Sequence, residues 1–557
     1  MLNLPWTIWR YAIVELWRLI ALTTGVVVIV IAFALTVKFF AEGKLSPLDA
    51  VLFMRLTAIP MLQYALPFAA GFAATLTYHR MAQDNERIAS HGSGIGHAAL
   101  LTPAAATGLV LAVVLGILVQ FTIPRYLRDM QDIVSESVSK MIVTSVRNRE
   151  AIMHERFMVY ADDVRTQPSE GGAERLVLFG VLVAELDREG RVSGEASARR
   201  AWVTLSSRSR QETGARHGQT RVSVMLEDVV ARGSLHRGEF ARQTFEWTAP
   251  GPFDDDPKFL NFHELRASRS DPATYYNMID VRRQQLAFHI GEREITGAVR
   301  GALRSEHRAT LTGEDGQTFI IRASGMNWNG QRWDLRPIAG QTRVGVERLP
   351  GPSPDASRAT IFQAATAGLV TDVNAGLAFS GTLPLHLMLE NVTVATASGE
   401  PAGTLEALEF RNLSFLARRD PMPELLALDT QALLASAHER LSIADDAFIR
   451  GPLNELAARL AKLDNEIVSK QHERWAASIA CMVMVLAGAV TALRLGQSMP
   501  LTVYLWSFFP ALFALLTISS GQHLTHRMGA IGLVFLWGGV GALGVYTFVA
   551  YVLLRRH

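Results

Sequence analysis

Cysteine is almost absent from these 557 residues. Cys481 stands alone, so no intramolecular disulfide can form and no cysteine-based metal motif can be assembled. Charge is scarce as well. Only 19% of the residues are Asp, Glu, Lys or Arg against 49% hydrophobic ones, which excludes a disordered polyampholyte. With 54 cationic and 52 anionic side chains the net charge is +2, which gives no electrostatic reason to expect nucleic acid as a partner. Motifs of common chemistries are missing too: there is no HExxH, CxxC, GxSxG or GxxxxGK[ST]. The run Gly92-Ser93-Gly94-Ile95-Gly96 lacks a following lysine and sits between two apolar stretches, so it is no phosphate cradle.

The charge that exists is unevenly spread. Arg125 to Arg474 holds 43 Lys+Arg and 47 Asp+Glu, leaving 11 and 5 for the other 207 residues. Those ends contain six runs free of Asp, Glu, Lys, Arg and His: Leu19–Val37, Leu56–Tyr78, Ala98–Pro124, Trp475–Leu493, Leu495–Gln522 and Met528–Leu554. Each reaches the roughly 20 residues a helix needs to cross about 30 Å of hydrocarbon. Backbone groups in lipid find no water, so such runs must be helical unless they alternate like barrel strands, and these do not. The stretch before the first run, with Trp6, Trp9, Tyr11 and Trp17 among Arg10, Glu15 and Arg18, reads as an interfacial helix leading into an uncleaved span.

Three helices, a soluble insert and three more helices are therefore expected, a membrane α+β class. With the N-terminus inside, seven short-loop cations (Arg10, Arg18, Arg80, Arg87, Arg494, Arg555, Arg556) face the cytoplasm and four (Lys38, Lys44, Arg55, Arg527) face out. The positive-inside rule then places both termini in the cytoplasm and the insert outside. The insert reads as mostly β, since Arg175–Asp187, Arg221–Val230, Thr318–Ala323 and Leu385–Ala395 are short, rich in Val, Ile and Leu, and bounded by turn residues. A sandwich or jelly roll is the expected form. Arg125–Arg149 and Pro452–Arg474 read as helical stalks.

An internal repeat is visible within the insert. Val222–Val229 (VSVMLEDV) aligns with Leu385–Val392 (LHLMLENV) at an offset of 163, and Phe245-Glu246-Trp247 meets Leu408-Glu409-Phe410 at the same offset. Glu264-Leu265 and Glu424-Leu425 match at 160. Two tandem β modules would explain this, with chance similarity between strands of like composition as the alternative. The expected divisions are 1–124 for the first three spans, 125–280 and 281–430 for the modules, 431–474 for a helical connector and 475–557 for the last spans.

Candidate sites are few. His523 and His526 could share a helix face and hold a metal, but interfacial histidines are the plainer reading, and no metal is assigned. Asp254-Asp255-Asp256 reads as a solvated turn. No span carries an ionisable residue near its centre, so the relay expected of an ion-coupled transporter has no carriers. Any transport must then be powered by a partner, along a hydrophobic route. The loop His79–His97 is the most informative segment: Arg80, Asp84, Arg87 and His91, spaced 4, 3 and 4, would form one polar stripe on a helix of about 80–93, ended by the glycines that follow.

Here the chain resembles the LptF/LptG-type permease subunits of the lipopolysaccharide export ABC transporter, whose loop at this place is a coupling helix with an acid followed eight positions later by glycine, as in Glu86 and Gly94. Arg10-Tyr11 with Glu15-Leu16, Leu66-Pro67, Pro124-Arg125 and His472–Ala476 are similar to further family motifs, together about 220 residues at the two ends. Two departures stand out. A proline expected soon after Arg474 is replaced by Ala477-Ser478, and the exterior region is about twice a single jelly roll.

The resemblance implies a non-catalytic subunit of the bacterial inner membrane with its large domain in the periplasm. Its partners would be a cytosolic ABC ATPase dimer that uses ATP and Mg, a second permease subunit or second copy, a periplasmic lipid-bridge protein and membrane lipid. The chain itself would bind no cofactor. Glu86, Arg80, Asp84, Arg87, His91 and Gly94 would couple it to the ATPase, and Lys38, Lys44 and Arg55 could meet lipid phosphates. Two other classes stay open: a membrane-anchored periplasmic scaffold without transport, and an enzyme acting on lipid at the outer surface.

Overall fold

The computed structural model describes residues 5–41, 47–130, 146, 151–154, 157–168, 174–186, 191–208, 219–233, 238–249, 256–313, 316–330, 332–351, 359–371, 383, 385–396, 401–496 and 498–556. The chain divides into two compact units. Unit 1 comprises Met1–Phe245, Ala249–Ser270 and Leu460–His557, and unit 2 comprises Glu246–Thr248 and Asp271–Arg459.

Among the described residues, six helices are long and apolar enough to cross a membrane. They are α1 (Trp6–Ala41), α2 (Pro47–Gln83), α4 (His97–Met130), α10 (Ala447–Arg494), α11 (Pro500–Met528) and α12 (Ala530–Arg556), with the short α3 (Glu86–Gly92) between α2 and α4. The first shows how such a helix is sorted. Its buried residues, Ala12, Leu16, Ile20, Thr24, Val28, Ala32 and Thr36, recur every fourth position and form one narrow stripe. Leu22, Ile29 and Phe33 on the other faces are 59–64% exposed, an arrangement that water would penalise and hydrocarbon does not. The apolar window of α10 is 72% buried within the protein against 28–39% in the other five, so this helix forms the centre of the bundle.

Small residues let the last two helices approach closely. A Cβ on Gly521 would lie 2.5 Å from the backbone nitrogen of Leu536, and Cβ atoms on Gly532 and Gly539 would collide with Thr525 and Thr517. Where the solvent is as apolar as leucine, close backbone packing replaces the hydrophobic drive for helix association.

Among the described residues, the rest of unit 1 includes a sheet of seven strands and a short helix. The strands are β1 (Ile152–His154), β2 (Phe157–Tyr160), β3 (Asp163–Pro168), β4 (Glu174–Leu186), β5 (Val192–Arg208), β6 (Gln219–Gly233) and β7 (Gly238–Ala249), ordered β1-β2-β4-β5-β6-β7 with β3 also on β4. Alternation along β5 places Ala196, Ala198, Ala201 and Val203 inward. The helix α5 (Phe262–Ser270) follows.

Unit 2 holds α6 (Pro272–Tyr275), α7 (Asn277–Glu306), strands β8 (Arg308–Thr312), β9 (Thr318–Arg322), β10 (Gly325–Trp328), β11 (Trp333–Arg336), β12 (Val344–Leu349), β13 (Thr360–Thr371), β14 (Leu385–Thr396) and β15 (Pro401–Phe415), then α8 (Met422–Ala427) and α9 (Thr430–Ile443). Pairing of β13 with both β12 and β14 closes the ring β13-β12-β9-β8-β15-β14, a six-stranded barrel to which the β10–β11 hairpin is attached through β13. Its core of Leu311, Phe319, Ile321, Val346, Phe362, Leu387 and Leu389 is joined by Phe288, Ile295, Val299 and Leu303 of α7.

All four segments read as β are strands, and Pro452–Arg474 lies within α10. The 30-residue α7 departs from the expectation of an insert helical only at its ends, and a boundary at 280/281 falls inside it. Residues 131–145 and 147–149 of the expected first stalk lie outside the described residues.

Candidate functional site at the α2–α4 loop and the Arg474 clamp

The loop between α2 and α4 is built by two left-handed residues. α2 ends at Gln83, and Asn85 (φ 57°) breaks the helix before α3 starts at Glu86; asparagine tolerates this conformation because its short side chain adds little strain. After Gly92 the backbone closes with Gly94 N–H donating to His91 O (2.9 Å) and Ile95 N–H to Ser90 O (3.0 Å), with Gly94 at φ 81°. The return into α4 at His97 thus depends on a residue without a side chain.

This corrects the expected single stripe. Arg80 belongs to the last turn of α2, Asp84 to the turn, and Arg87 and His91 to α3, so the four do not share one helix. Their environments differ as well. Arg80 pairs with Glu15 of α1 at 3.0 Å, and Arg87 donates to the carbonyl of Leu493, in the last turn of α10, at 3.2 Å. A cation at a helix C-terminus meets unpaired carbonyls and the negative end of the helix dipole. His91 Nε2 lies 3.0 Å from His97 Nδ1 across the glycine turn.

The remaining groups face out. Asp84 and His91 are exposed, Ile88 is 58% exposed, and Glu86 is half-buried beside them. Partial burial, followed by the nearby Asp84 charge, pushes the Glu86 carboxyl above its usual range. The helix ends are tied together around this loop, with Trp9 Nε1 donating to Ala99 O (2.8 Å) and Tyr78 Oη to Leu100 O (3.1 Å). Sequence reading grouped Arg80 with the partner-facing residues; the signal for its intrachain pair is Glu15, the one acid of α1.

At the opposite ends of α4 and α10 a second polar arrangement occurs. The backbone of α4 loosens into a π-helical turn at Leu118–Thr122, and Gln120 within it is 6% exposed. Arg474 of α10, 2% exposed, donates to Gln120 Oε1 (3.4 Å) and to the carbonyl oxygens of Leu260 (2.7 Å) and Lys258 (3.4 Å). The segment 256–270 thereby straps α4 to α10. Arg128 pairs with Glu264 at 3.1 Å and Arg269 with Asp464 at 2.8 Å. Nothing in the local spacing announced Gln120, whose role depends on a π turn with no sequence marker.

Other candidates are dispersed. Lys38, in the last turn of α1, and Arg55 of α2 are exposed at ends joined by the Phe39–Phe53 ring contact (5.2 Å), while Lys44 lies outside the described residues. His526 Nε2 is 2.9 Å from Ser469 Oγ, and no group of three or more metal-ligating side chains occurs among the described residues. Asp254 and Asp255 are outside the described residues; Asp256 accepts from the backbone of Lys258 at 2.9 Å. Two apolar crevices open in the bundle. One of about 330 Å³ is lined by Pro67, Phe72, Met484, Tyr504 and Phe508, and another of about 440 Å³ by Leu101, Val483, Leu486, Phe548 and Tyr551.

No curated protein significantly matches the chain. A family model does match, over residues 16–208, a stretch from α1 through α3 and α4 to the end of β5. That model is of the lipopolysaccharide export system permease LptF/LptG, to which the chain is similar over those residues, and the six helices of membrane-crossing length fit a multi-pass membrane protein.

Proposed function

We propose that the chain is the permease subunit of an exporter that lifts lipopolysaccharide or a related envelope lipid out of the bacterial inner membrane, driven by a separate cytosolic ATPase dimer, and passes it to a periplasmic β-jelly-roll bridge. The observation that carries this reading is the division of charge on the inner loop. Arg80 and Arg87 grip Glu15 and the end of α10, while Asp84, Glu86, Ile88 and His91 are left facing outward. A partner that pushes on the outward edge would move α10, the most buried span, through the Arg87–Leu493 contact. Both termini and this loop then lie in the cytoplasm and the β-rich insert in the periplasm. The crevices beside α10 are almost entirely apolar, which suits acyl chains.

The partner lattice follows from the same reading: a second permease subunit or second copy completes the passage. ATP and Mg belong to the ATPase alone. Lys38, Lys44 and Arg55 would meet lipid phosphates at the outer surface. We read the insert as a duplication. Asp228 (φ 54°) and Asn391 (φ 51°) are separated by the repeat offset, and strand pairing lapses without a register change at Arg199/Asp228 and again at Ala365/Asn391. Each hairpin, β6–β7 and β14–β15, leads into a short helix.

The test is the ATPase activity that accompanies the purified chain. Wild type should carry activity that Glu86→Arg loses while its melting temperature is unchanged. Equal activity in the variant, with normal lipid export, would remove α3 from the coupling role and favour the membrane-anchored scaffold.

A further inference from the structure

Unit 2 contains a cationic surface that the transport reading does not use. On α7 the residues Arg293, Gly297, Arg300 and Arg304 follow one another at spacings of 4, 3 and 4, which places all four within about 60° of helix circumference at 100° per residue. Arg300 lies over the ring of Trp333 with its guanidinium carbon 4.6 Å from the centroid, and Arg293 lies 5.3 Å from the same ring and 4.3 Å from that of Phe448. Charge on this surface is not balanced. Arg293 is satisfied by a two-pronged pair with Asp446, at 2.5 and 2.9 Å. Neither Arg300 nor Arg304 has a hydrogen-bonded or ion-paired acceptor among the described residues, and Arg300 is held below the usual arginine range by desolvation and by its two arginine neighbours.

Two donors of the stack are orphaned. Nε of Arg300 and Nε1 of Trp333, a residue 97% buried with 3% exposure, are buried without a hydrogen-bond partner among the described residues. Buried N–H groups normally find acceptors, and leaving one unmade costs roughly 1–3 kcal/mol, so a structure that keeps two beside an excess of positive charge is short of an anion. Space for one exists. A Cβ built on Gly297 or Gly301 would meet nothing within 4 Å, so the helix surface between Arg293, Arg300 and Arg304 is open.

We propose that this α7–β11 surface binds a phosphoryl group, with Arg300 and Arg304 supplying the charge, Arg293 and Asp446 holding the aromatic wall in place, and the two glycines leaving room for the ligand. Guanidinium forks match phosphate oxygens in geometry as well as charge. A lipid headgroup and free phosphate offer the same chemistry, so the two sources must be told apart by experiment. The inference goes beyond the transport reading, because it assigns a ligand to unit 2 whatever the spans carry.

The test is calorimetric titration of the full-length chain in nonionic detergent with inorganic pyrophosphate, short-chain phosphatidate and short-chain phosphatidylcholine. Pyrophosphate or phosphatidate should bind, weakening with added salt. Arg300→Gln and Arg304→Gln should each weaken that binding at least tenfold. Because Arg300→Gln could disturb the Trp333 stack, Gly297→Leu provides an independent arm: it fills the open surface without touching a charge and should abolish binding with no loss of melting temperature. Binding of phosphatidate alone assigns the site to lipid, and binding of both assigns it to the phosphoryl group itself. The proposal is overturned if neither phosphorylated probe binds, if phosphatidylcholine binds equally well, or if Gly297→Leu binds as wild type does.

Discussion

Arg80 and Arg87 differ from Asp84 and Glu86 less in sequence than in what they touch. The two arginines have intrachain acceptors, Glu15 for Arg80 and the Leu493 carbonyl for Arg87. The Arg80–Glu15 pair is half-exposed and worth on the order of 0.5 kcal/mol, so Arg80→Ala should leave the melting temperature nearly unchanged. Arg474 is different in kind. Its guanidinium is buried and serves Gln120 and two carbonyls, so Arg474→Met should cost about 2–4 kcal/mol, read as a clear drop in melting temperature, with Arg474→Lys recovering part of it. Asp446 supplies a pH test. Burial alone would raise its carboxyl, but the Arg293 fork, the Phe448 N–H and the charges of Arg293 and Arg300 outweigh that and hold it low. A carboxyl lowered in the folded state stabilises the fold above its unfolded value, near 3.9, and that contribution disappears as pH falls through the lower folded value. Asp446→Asn should therefore lower the melting temperature at pH 7, by an amount that shrinks toward zero below about pH 4.

Elements were legible where one physical signal dominated. Charge-free runs of sufficient length can only be helices in lipid, and each of the six runs has most of its length in one of the six long apolar helices. Short Val- and Leu-rich segments between turn residues became strands. α7 was not legible, although its buried Ile295, Val299 and Leu303 follow a helical period. Three glycines and five arginines within its 30 residues dilute that signal. The π turn of α4 was illegible for another reason, since it is held by Arg474, more than 350 positions away in sequence. The α11–α12 hairpin gives an element-scale prediction. Gly539→Leu should separate the two helices and destabilise the chain by at least 3 kcal/mol, whereas Gly538→Leu, where nothing lies within 4 Å of the added carbon, should cost little. Thermal melts of the two single variants in one detergent check it.

For the molecule as a whole, the single cysteine turns into an advantage. Cys481 is buried in the bundle, so Ile88→Cys in a Cys481→Ala background carries one reactive thiol, on the outward edge of α3. The account predicts that in native membranes this thiol is shielded from a membrane-impermeant maleimide and crosslinks to an ATP-binding protein, in a yield that changes with nucleotide. It also predicts that Glu86→Arg abolishes both the crosslink and the delivery of envelope lipid. A thiol that is freely labelled, forms no crosslink in any nucleotide state, and belongs to a chain whose Glu86→Arg variant still exports lipid normally would contradict it.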